Sequence, residues 1–175
     1  NRVKSFLVFA SILLLLSLFN SSCHIYSFKD VGTIPDSVKT VRVNFIENRA
    51  PYVNPQLSPT LTDRLKQKIV NQTRLTQTNN DNAHYDIHAF ISDYSVSTTG
   101  ITNTNGKAQT SINRLTVSVH VTLNNTLSGE TQEFDVSRNF DFGANQSLQA
   151  VESTLLDEMV RNLTDEIFNH IFSNW

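Results

Sequence analysis

The stretch INRLTVSVHVTL, residues 112–123, alternates apolar and polar side chains over most of its length. Its apolar side chains occupy the odd positions Leu115, Val117, Val119, Val121 and Leu123. Successive side chains of a β-strand point to opposite faces of a sheet, so this alternation predicts a strand with one buried face and one face in solvent. Residues 124–129 have turn chemistry, and residues 134–142 resume the alternation with apolar even positions. The second run predicts an antiparallel partner strand.

Weaker strand patterns precede this hairpin. Residues 38–46 alternate and predict a strand. One side of that strand carries Val41, Val43 and Phe45. Residues 74–78 predict a short strand. Residues 84–97 have a β-rich composition without a single phase, which indicates a strand with a bulge or with both faces covered.

Two helices complete the pattern. The first is predicted to begin near Ser58, with that hydroxyl as N-cap and Pro59 at the first helical position. Its apolar stripe consists of Leu57, Leu61, Leu65 and Ile69. The second covers residues 148–172, where apolar residues recur at spacings of three and four. The sequence therefore predicts an α+β fold with two helices packed on one face of a mostly antiparallel four-stranded sheet, in the order β-α-β-β-β-α.

The first 22 residues have the organisation of an export signal. Arg2 and Lys4 precede an almost wholly apolar run over residues 6–19, and polar residues follow it. A membrane-spanning helix needs about 20 apolar residues, and this run is shorter. We expect residues 1–22 to be a lipoprotein signal peptide that is removed, with a retained membrane anchor as the alternative.

Cys23 directly follows this segment and is the single cysteine of the chain. A lone cysteine in a folded domain is usually a small buried residue, but one in this position resembles a bacterial lipobox, although Asn20 stands where leucine is usual. We expect lipid attachment at Cys23, since two or three acyl chains such as palmitate hold a protein durably on a membrane. Residues 23–36 would then be a lipidated tether, and residues 37–175 the folded domain.

Charge excludes one class of function and suggests another. Without Arg2 and Lys4 the chain has 12 basic and 16 acidic residues, which argues against nucleic acid as a partner. The basic residues concentrate on and just after the first helix, at Arg64, Lys66, Lys68 and Arg74. Such a run is usually a solvated face, and the functional alternative is a contact for phosphate groups.

The sequence carries no pattern typical of an enzyme, a metal site or a cofactor site. His84 and His88 lie in a predicted strand, where four residues span about 13 Å, which is too far for one metal ion. Adjacent carboxylates on a helix point about 100° apart and normally form a solvated face. Two such pairs are Asp157 with Glu158 and Asp165 with Glu166. A hydrolase assembled from distant residues, such as His120 and Asp135, stays open as an alternative.

Several strings of the sequence resemble the LptE-like family of lipopolysaccharide-assembly lipoproteins. They are CHIYSF at residues 23–28, NRAPYVNPQLS at 48–58, NRLTV at 113–117 and the C-terminal residues 168–175. The resemblance implies a Gram-negative outer-membrane location and a non-enzymatic role in delivering lipopolysaccharide to the outer leaflet. The partner it implies is the LptD β-barrel, whose lumen the lipoprotein plugs. Cys23 is the one functional residue that the resemblance transfers.

Exposed irregular segments carry binding residues more often than the elements they join. On that ground we expect contacts with the partner in two segments, at Pro51, Tyr52 and Asn54 and at Gly100, Asn103 and Gly106. An alternative from another class is a lipid-anchored binding module for a different envelope client, such as a cell-wall polymer or a periplasmic protein.

The anchor prediction is tested by Cys23→Ala. The variant should either keep its apolar N-terminal segment or be released as a soluble protein, because the thiol that carries the lipid is gone. Metabolic labelling with a clickable fatty acid measures this directly. Labelling that persists in Cys23→Ala would contradict the anchor.

Overall fold

The computed structural model describes residues 34–99 and 112–173. Its elements are β1 (Thr40–Val43), β2 (Glu47–Asn48), α1 (Leu57–Gln72), β3 (Thr76–Gln77), β4 (Tyr85–Thr99), β5 (Ile112–Asn125), β6 (Glu130–Gly143) and α2 (Leu148–Phe172). The predicted α+β class with two helices is confirmed. The sheet has six strands where four were expected, because it includes two very short strands, β2 and β3, of two residues each.

The sheet is mixed, with the strand order β3-β1-β4-β5-β6 and with β2 beside β4. The three long strands β4, β5 and β6 pair antiparallel, as expected. The short strands pair parallel, β1 with β3 and β4, and β2 with β4. Helix α1 lies between β1 and β3 in the chain, which is the long connection that parallel neighbours require.

Strand β5 lies at the centre of the core. Its five odd-numbered apolar side chains are at most 5% exposed, and Val119 is fully buried. The apolar stripes of both helices meet the same side of the sheet: Leu57, Leu61, Leu65 and Ile69 from α1, and Met159, Leu163 and Ile167 from α2. The other side of β4, β5 and β6 carries mostly polar side chains, and neither helix of residues 34–99 and 112–173 covers it. No helix within the two described segments is long and apolar enough to cross a membrane.

A bulge in β4 explains its irregular sequence pattern. The register with β5 shifts between Ile91 and Asp93, so Ser92 is an extra residue. The shift changes the phase of the strand and lets Ile91 (0% exposed) and Tyr94 (3% exposed) both face the helices. The bulge that the composition indicated is confirmed.

The strand expected over residues 38–46 ends early. β1 stops at Val43, and Phe45, which was expected on the buried side, is 58% exposed. Ile46 is buried instead, and its backbone N–H donates to Thr62 Oγ1 of α1 at 3.0 Å. Between β1 and β2 the register with β4 shifts by one residue, since Val43 lies opposite Ile87 and Glu47 opposite Phe90. Alternation alone contains no information about this shift.

The N-terminus of α1 also differs from the expectation. The helix begins at Leu57, and Ser58 makes no capping hydrogen bond. Asn54 takes the capping role, since its Oδ1 accepts from the backbone N–H of Gln56 at 3.0 Å and its carbonyl accepts from that of Leu57 at 3.3 Å. The Ser58 prediction was wrong because the turn before the helix already supplies these acceptors.

A buried ion pair joins β1 to β4 on the side away from the helices. Arg42 donates two hydrogen bonds to the Asp86 carboxylate, at 2.9 and 2.7 Å. The amide of Asn44 donates to the same carboxylate at 2.8 Å, and His88 Nε2 lies 3.0 Å from it. The pKa of Asp86 is lowered to about 2, mainly by the hydrogen bonds from Arg42. Asp86 is 8% exposed and therefore depends on these partners to stay charged.

Val119→Asp tests the centre of the core. A carboxylate at this fully buried site has no partner, so the variant should lose several kcal/mol of stability or fail to fold. Thr116→Asp, on the same strand but on the polar side, should cost about 1 kcal/mol or less. Thermal melts of the two variants measure the difference, and the reverse order would contradict the orientation of β5.

Asp86→Asn tests the ion pair. Since the pKa of Asp86 lies below its ordinary 3.8, the pair stabilises the folded state above about pH 4, and this stability is lost as the pH falls through 2. The variant should be less stable than wild type at pH 7 by about 2 kcal/mol, with a gap that closes below pH 4. Urea unfolding at several pH values measures it, with the exposed Asp63→Asn as control. A gap that did not vary with pH would contradict the pairing.

Candidate functional site

The uncovered side of β4, β5 and β6, here called the open face, is a continuous polar surface. Its side chains form five hydrogen-bonded pairs across β5 and β6. Four are successive, Arg114–Asp141, Thr116–Asn139, Ser118–Ser137 and His120–Asp135, and the fifth, Asn124–Thr131, follows beyond Thr122 and Glu133. Donor–acceptor distances in these pairs run from 2.7 to 3.0 Å. The paired side chains hold one another in place, so the open face is both polar and ordered.

The bidentate pair of Arg114 and Asp141 has the strongest electrostatic interaction of this ladder. The guanidinium donates to both carboxylate oxygens, at 2.7 and 2.8 Å. These hydrogen bonds lower the pKa of Asp141 and raise the pKa of Arg114. Because both side chains are partly in solvent, the pair orders the surface more than it stabilises the fold.

An aromatic and cationic patch lies on the open face, next to the junction between β1 and β2. The guanidinium of Arg49 lies 4.2 Å from the ring centre of Phe90, and the His120 ring lies 5.1 Å from it on the other side. Phe45 and His88 line the adjoining cavity of about 430 Å³. Neighbouring rings with a cation and hydrogen-bonding groups suit contact with a large partner, because they offer apolar area with polar edges.

The segment between β2 and α1 is fastened to the core by a tyrosine pair. The rings of Tyr52 and Tyr94 stack with centroids 5.3 Å apart, and both hydroxyls donate to Glu152 of α2, at 3.1 and 2.8 Å. Burial is the main reason that the pKa of both tyrosines is raised, and the hydrogen bond to Glu152 raises it further. Asn54 donates to the Tyr94 hydroxyl at 3.3 Å and is 4% exposed. The segment is thus a fixed part of the surface.

The residues predicted to contact a partner differ in how exposed they are in the structure. Pro51 is exposed, Tyr52 is half-buried, and Asn54 points into the domain, where it caps α1. Val53, which the sequence did not single out, is 55% exposed. Pro51 and Val53 are therefore open to a partner, as are Arg49, Pro55 and Gln56 of the same segment.

The other predicted site residues, Cys23, Gly100, Asn103 and Gly106, lie outside the described residues. Thr99 and Ile112, which border the segment 100–111, pair across β4 and β5. The contact and lipid-attachment hypotheses for these positions remain predictions.

The basic residues of the first helix do not form one cluster. Arg64 and Lys68 line a cavity between α1 and α2 together with Arg161. Lys66 is not part of that lining, and Arg74 forms a salt bridge with Asp36 at 2.7 Å. Sequence reasoning missed Arg161 because it stands in no basic run, and helix packing alone brings it to the others.

The groups considered for catalysis are dispersed. Within residues 34–99 and 112–173, no group of three or more His, Cys, Asp or Glu side chains could hold a metal ion. His120 and Asp135 do pair at 2.9 Å, but they lie on the open face with the Asp135 side chain 70% exposed. The pair is a surface contact of the ladder and has no enclosing pocket of its own.

Comparison with solved structures supports the fold. A putative neuraminyllactose-binding hemagglutinin homolog from Helicobacter pylori matches with a TM-score of 0.51 at 10% identity, over 81% of this chain and 88% of that one. A minor lipoprotein from Acinetobacter baumannii matches with a TM-score of 0.39 at 13% identity, over 79% and 99%. A lipoprotein from Neisseria meningitidis matches with 0.41 at 14% identity, over 75% and 99%. The match with a TM-score of 0.51 shows a shared fold, and at 10% identity it shows nothing about function.

Family comparison is more specific. No curated protein matches the chain significantly. The family model LptE, described as lipopolysaccharide-assembly, matches residues 38–171, which is most of the chain and runs from just before β1 to the end of α2. This is the family that the sequence strings indicated. The chain belongs to the LptE family of lipopolysaccharide-assembly proteins.

Proposed function

We propose that this protein is an outer-membrane lipoprotein that partners an LptD-type β-barrel as its plug in lipopolysaccharide transport and assembly. Family membership over residues 38–171 supports the assembly role. The open face is the observation that carries the partnership, because it is a large surface of the sheet that α1 and α2 leave uncovered.

The chemistry of the open face suits the inside of a barrel. Large outer-membrane barrels have polar interiors, and some are plugged by a separate domain. A plug therefore needs a polar surface that keeps its shape when water is partly removed. The five cross-strand pairs meet that need, since each side chain already has a hydrogen-bond partner within the domain. Bridging water can supply the remaining bonds to the barrel.

The anchor and the tether suit the same location. Lipid at Cys23 would fix the chain to the membrane surface, and residues 23–36 would separate that lipid from the domain. Ile34 and Asp36 already contact the domain, which leaves residues 23–33 as the available length. An extended chain spans at most about 3.5 Å per residue, so this length reaches up to roughly 35 Å. That exceeds the roughly 25 Å height of the apolar band of a barrel, so the anchored domain can enter the lumen.

The segment of residues 49–56 is the best placed contact outside the sheet. Tyr52, Tyr94 and Glu152 hold it in one conformation, which lowers the entropy cost of binding. Its exposed side chains Pro51 and Val53 add a small apolar area next to the polar surface. Interfaces commonly combine such an apolar centre with a polar rim.

Site-specific photo-crosslinking tests the partnership. A crosslinker at Ser137 on the open face, or at Val53, should trap one very large outer-membrane protein in intact cells. The matched control is Asp63, an exposed position of α1 on the opposite layer of the domain. Depletion of the lipoprotein should leave the trapped protein misassembled and the cell leaky to hydrophobic compounds.

The partnership would be refuted if every exposed position failed to trap a barrel and depletion left surface lipopolysaccharide unchanged. If crosslinking at Ser137 trapped a periplasmic protein or a cell-wall polymer, the protein would be a binding module for that client.

A further inference from the structure

The helical layer contains a cavity that the barrel partnership does not use. It lies between α1 and α2, and its volume is about 190 Å³. Its charged and hydroxyl-bearing side chains are Arg64, Lys68, Arg161, Thr164 and Asp165. Three amide side chains, Gln67, Asn71 and Gln72, complete the lining. All of these groups can form hydrogen bonds, and most of them donate.

Positive charge exceeds negative charge in this cavity. Lys68 Nζ lies 2.9 Å from Asp165 and 5.0 Å from the ring centre of Phe168, so this lysine is fixed and its charge is offset. Neither Arg64 nor Arg161 forms a salt bridge with any residue in the described part of the chain. The cavity therefore has two uncompensated guanidinium groups in a chain whose formal net charge is −2.

Thr164 provides an independent indication that this is a binding site. It is 1% exposed, and its hydroxyl has no hydrogen-bond partner among the residues that the structure describes. A threonine hydroxyl in a helix can bond the carbonyl four residues earlier. Thr60, Thr62 and Thr73 do so at 2.6 to 2.7 Å. Thr164 departs from this habit at the wall of the cationic cavity, and a buried hydroxyl without a partner is unfavourable unless a ligand supplies one.

We propose that this cavity binds a phosphate group. The planar guanidinium groups of Arg64 and Arg161 match the oxygens of a phosphate, which they can bind through paired hydrogen bonds. The Thr164 hydroxyl and the amides donate to further oxygens. A water molecule occupies about 30 Å³, so a volume of about 190 Å³ has room for the five heavy atoms of one phosphate.

A neighbouring cavity indicates what carries the phosphate. It has a volume of about 550 Å³ and shares Asn71 and Gln72 with the first. Ile34, Phe168 and Phe172 give it apolar walls, and Arg74 stands at its side. A phosphate monoester attached to an apolar chain fits this pair of cavities better than free phosphate does, since only the amphiphile fills both.

The experiment measures binding to the full chain in neutral detergent micelles by calorimetry. The probes are inorganic phosphate, a short-chain phosphatidic acid, and a short-chain phosphatidylcholine that has no phosphate monoester. The cavity variants are Arg64→Gln, Arg161→Gln and the isosteric Thr164→Val. Lys66→Gln is the matched control, because it removes one positive charge from the same helix outside the cavity.

Phosphatidic acid should bind wild type, and each arginine variant should weaken it about tenfold, the loss expected for one charged hydrogen bond. Thr164→Val should also weaken it, and Lys66→Gln should leave it unchanged. Equal affinity for inorganic phosphate would identify free phosphate as the ligand of the same site. If neither phosphate probe bound, or if Lys66→Gln weakened binding as much as the arginine variants, the site would be refuted. Thermal melts confirm that the variants fold, and none of these outcomes depends on the barrel.

Discussion

The alternation of side chains along β5 is the constraint on which the rest of the domain depends. This strand pairs over its full length with both β4 and β6. Its odd-numbered side chains are buried under the two helices, and its even-numbered ones take part in the polar ladder. A shift of one residue would exchange the two sets and place hydroxyls and a histidine in the core. The alternation along β5 therefore determines both the core and the candidate interface.

The parts of the fold that the sequence predicted are those that local periodicity determines. Strands β5 and β6 and helix α2 have strong periods, and the structure has them where they were expected. The errors arise where a tertiary contact decides. Ile46 replaces Phe45 in the core because its backbone bonds to Thr62, and Ser58 is not a cap because Asn54 already is. The parallel pairing of two-residue strands leaves no signal in composition.

The candidate sites follow the same rule. The basic run on α1 pointed toward a charged cavity, yet only Arg64 and Lys68 line it, and Arg161 comes from the other helix. The sequence indicated that the segment before α1 is irregular, and for that reason its side chains were expected to be exposed. In the structure Asn54 is buried by Tyr94. Residue type predicts what a side chain can do, and packing decides which others it meets.

The long edge strand β6 is protected against pairing with other chains, and this bears on which surface can bind a partner. Arg138 lies opposite Val117, on the side of the sheet that faces the helices, and it pairs with Glu166 of α2. A charge that points inward on an edge strand hinders the approach of another strand, because that strand would have to bury the charge. The edge is thereby closed to strand addition. Association through the sheet must then use side chains of the open face, where the domain has already arranged polar pairs.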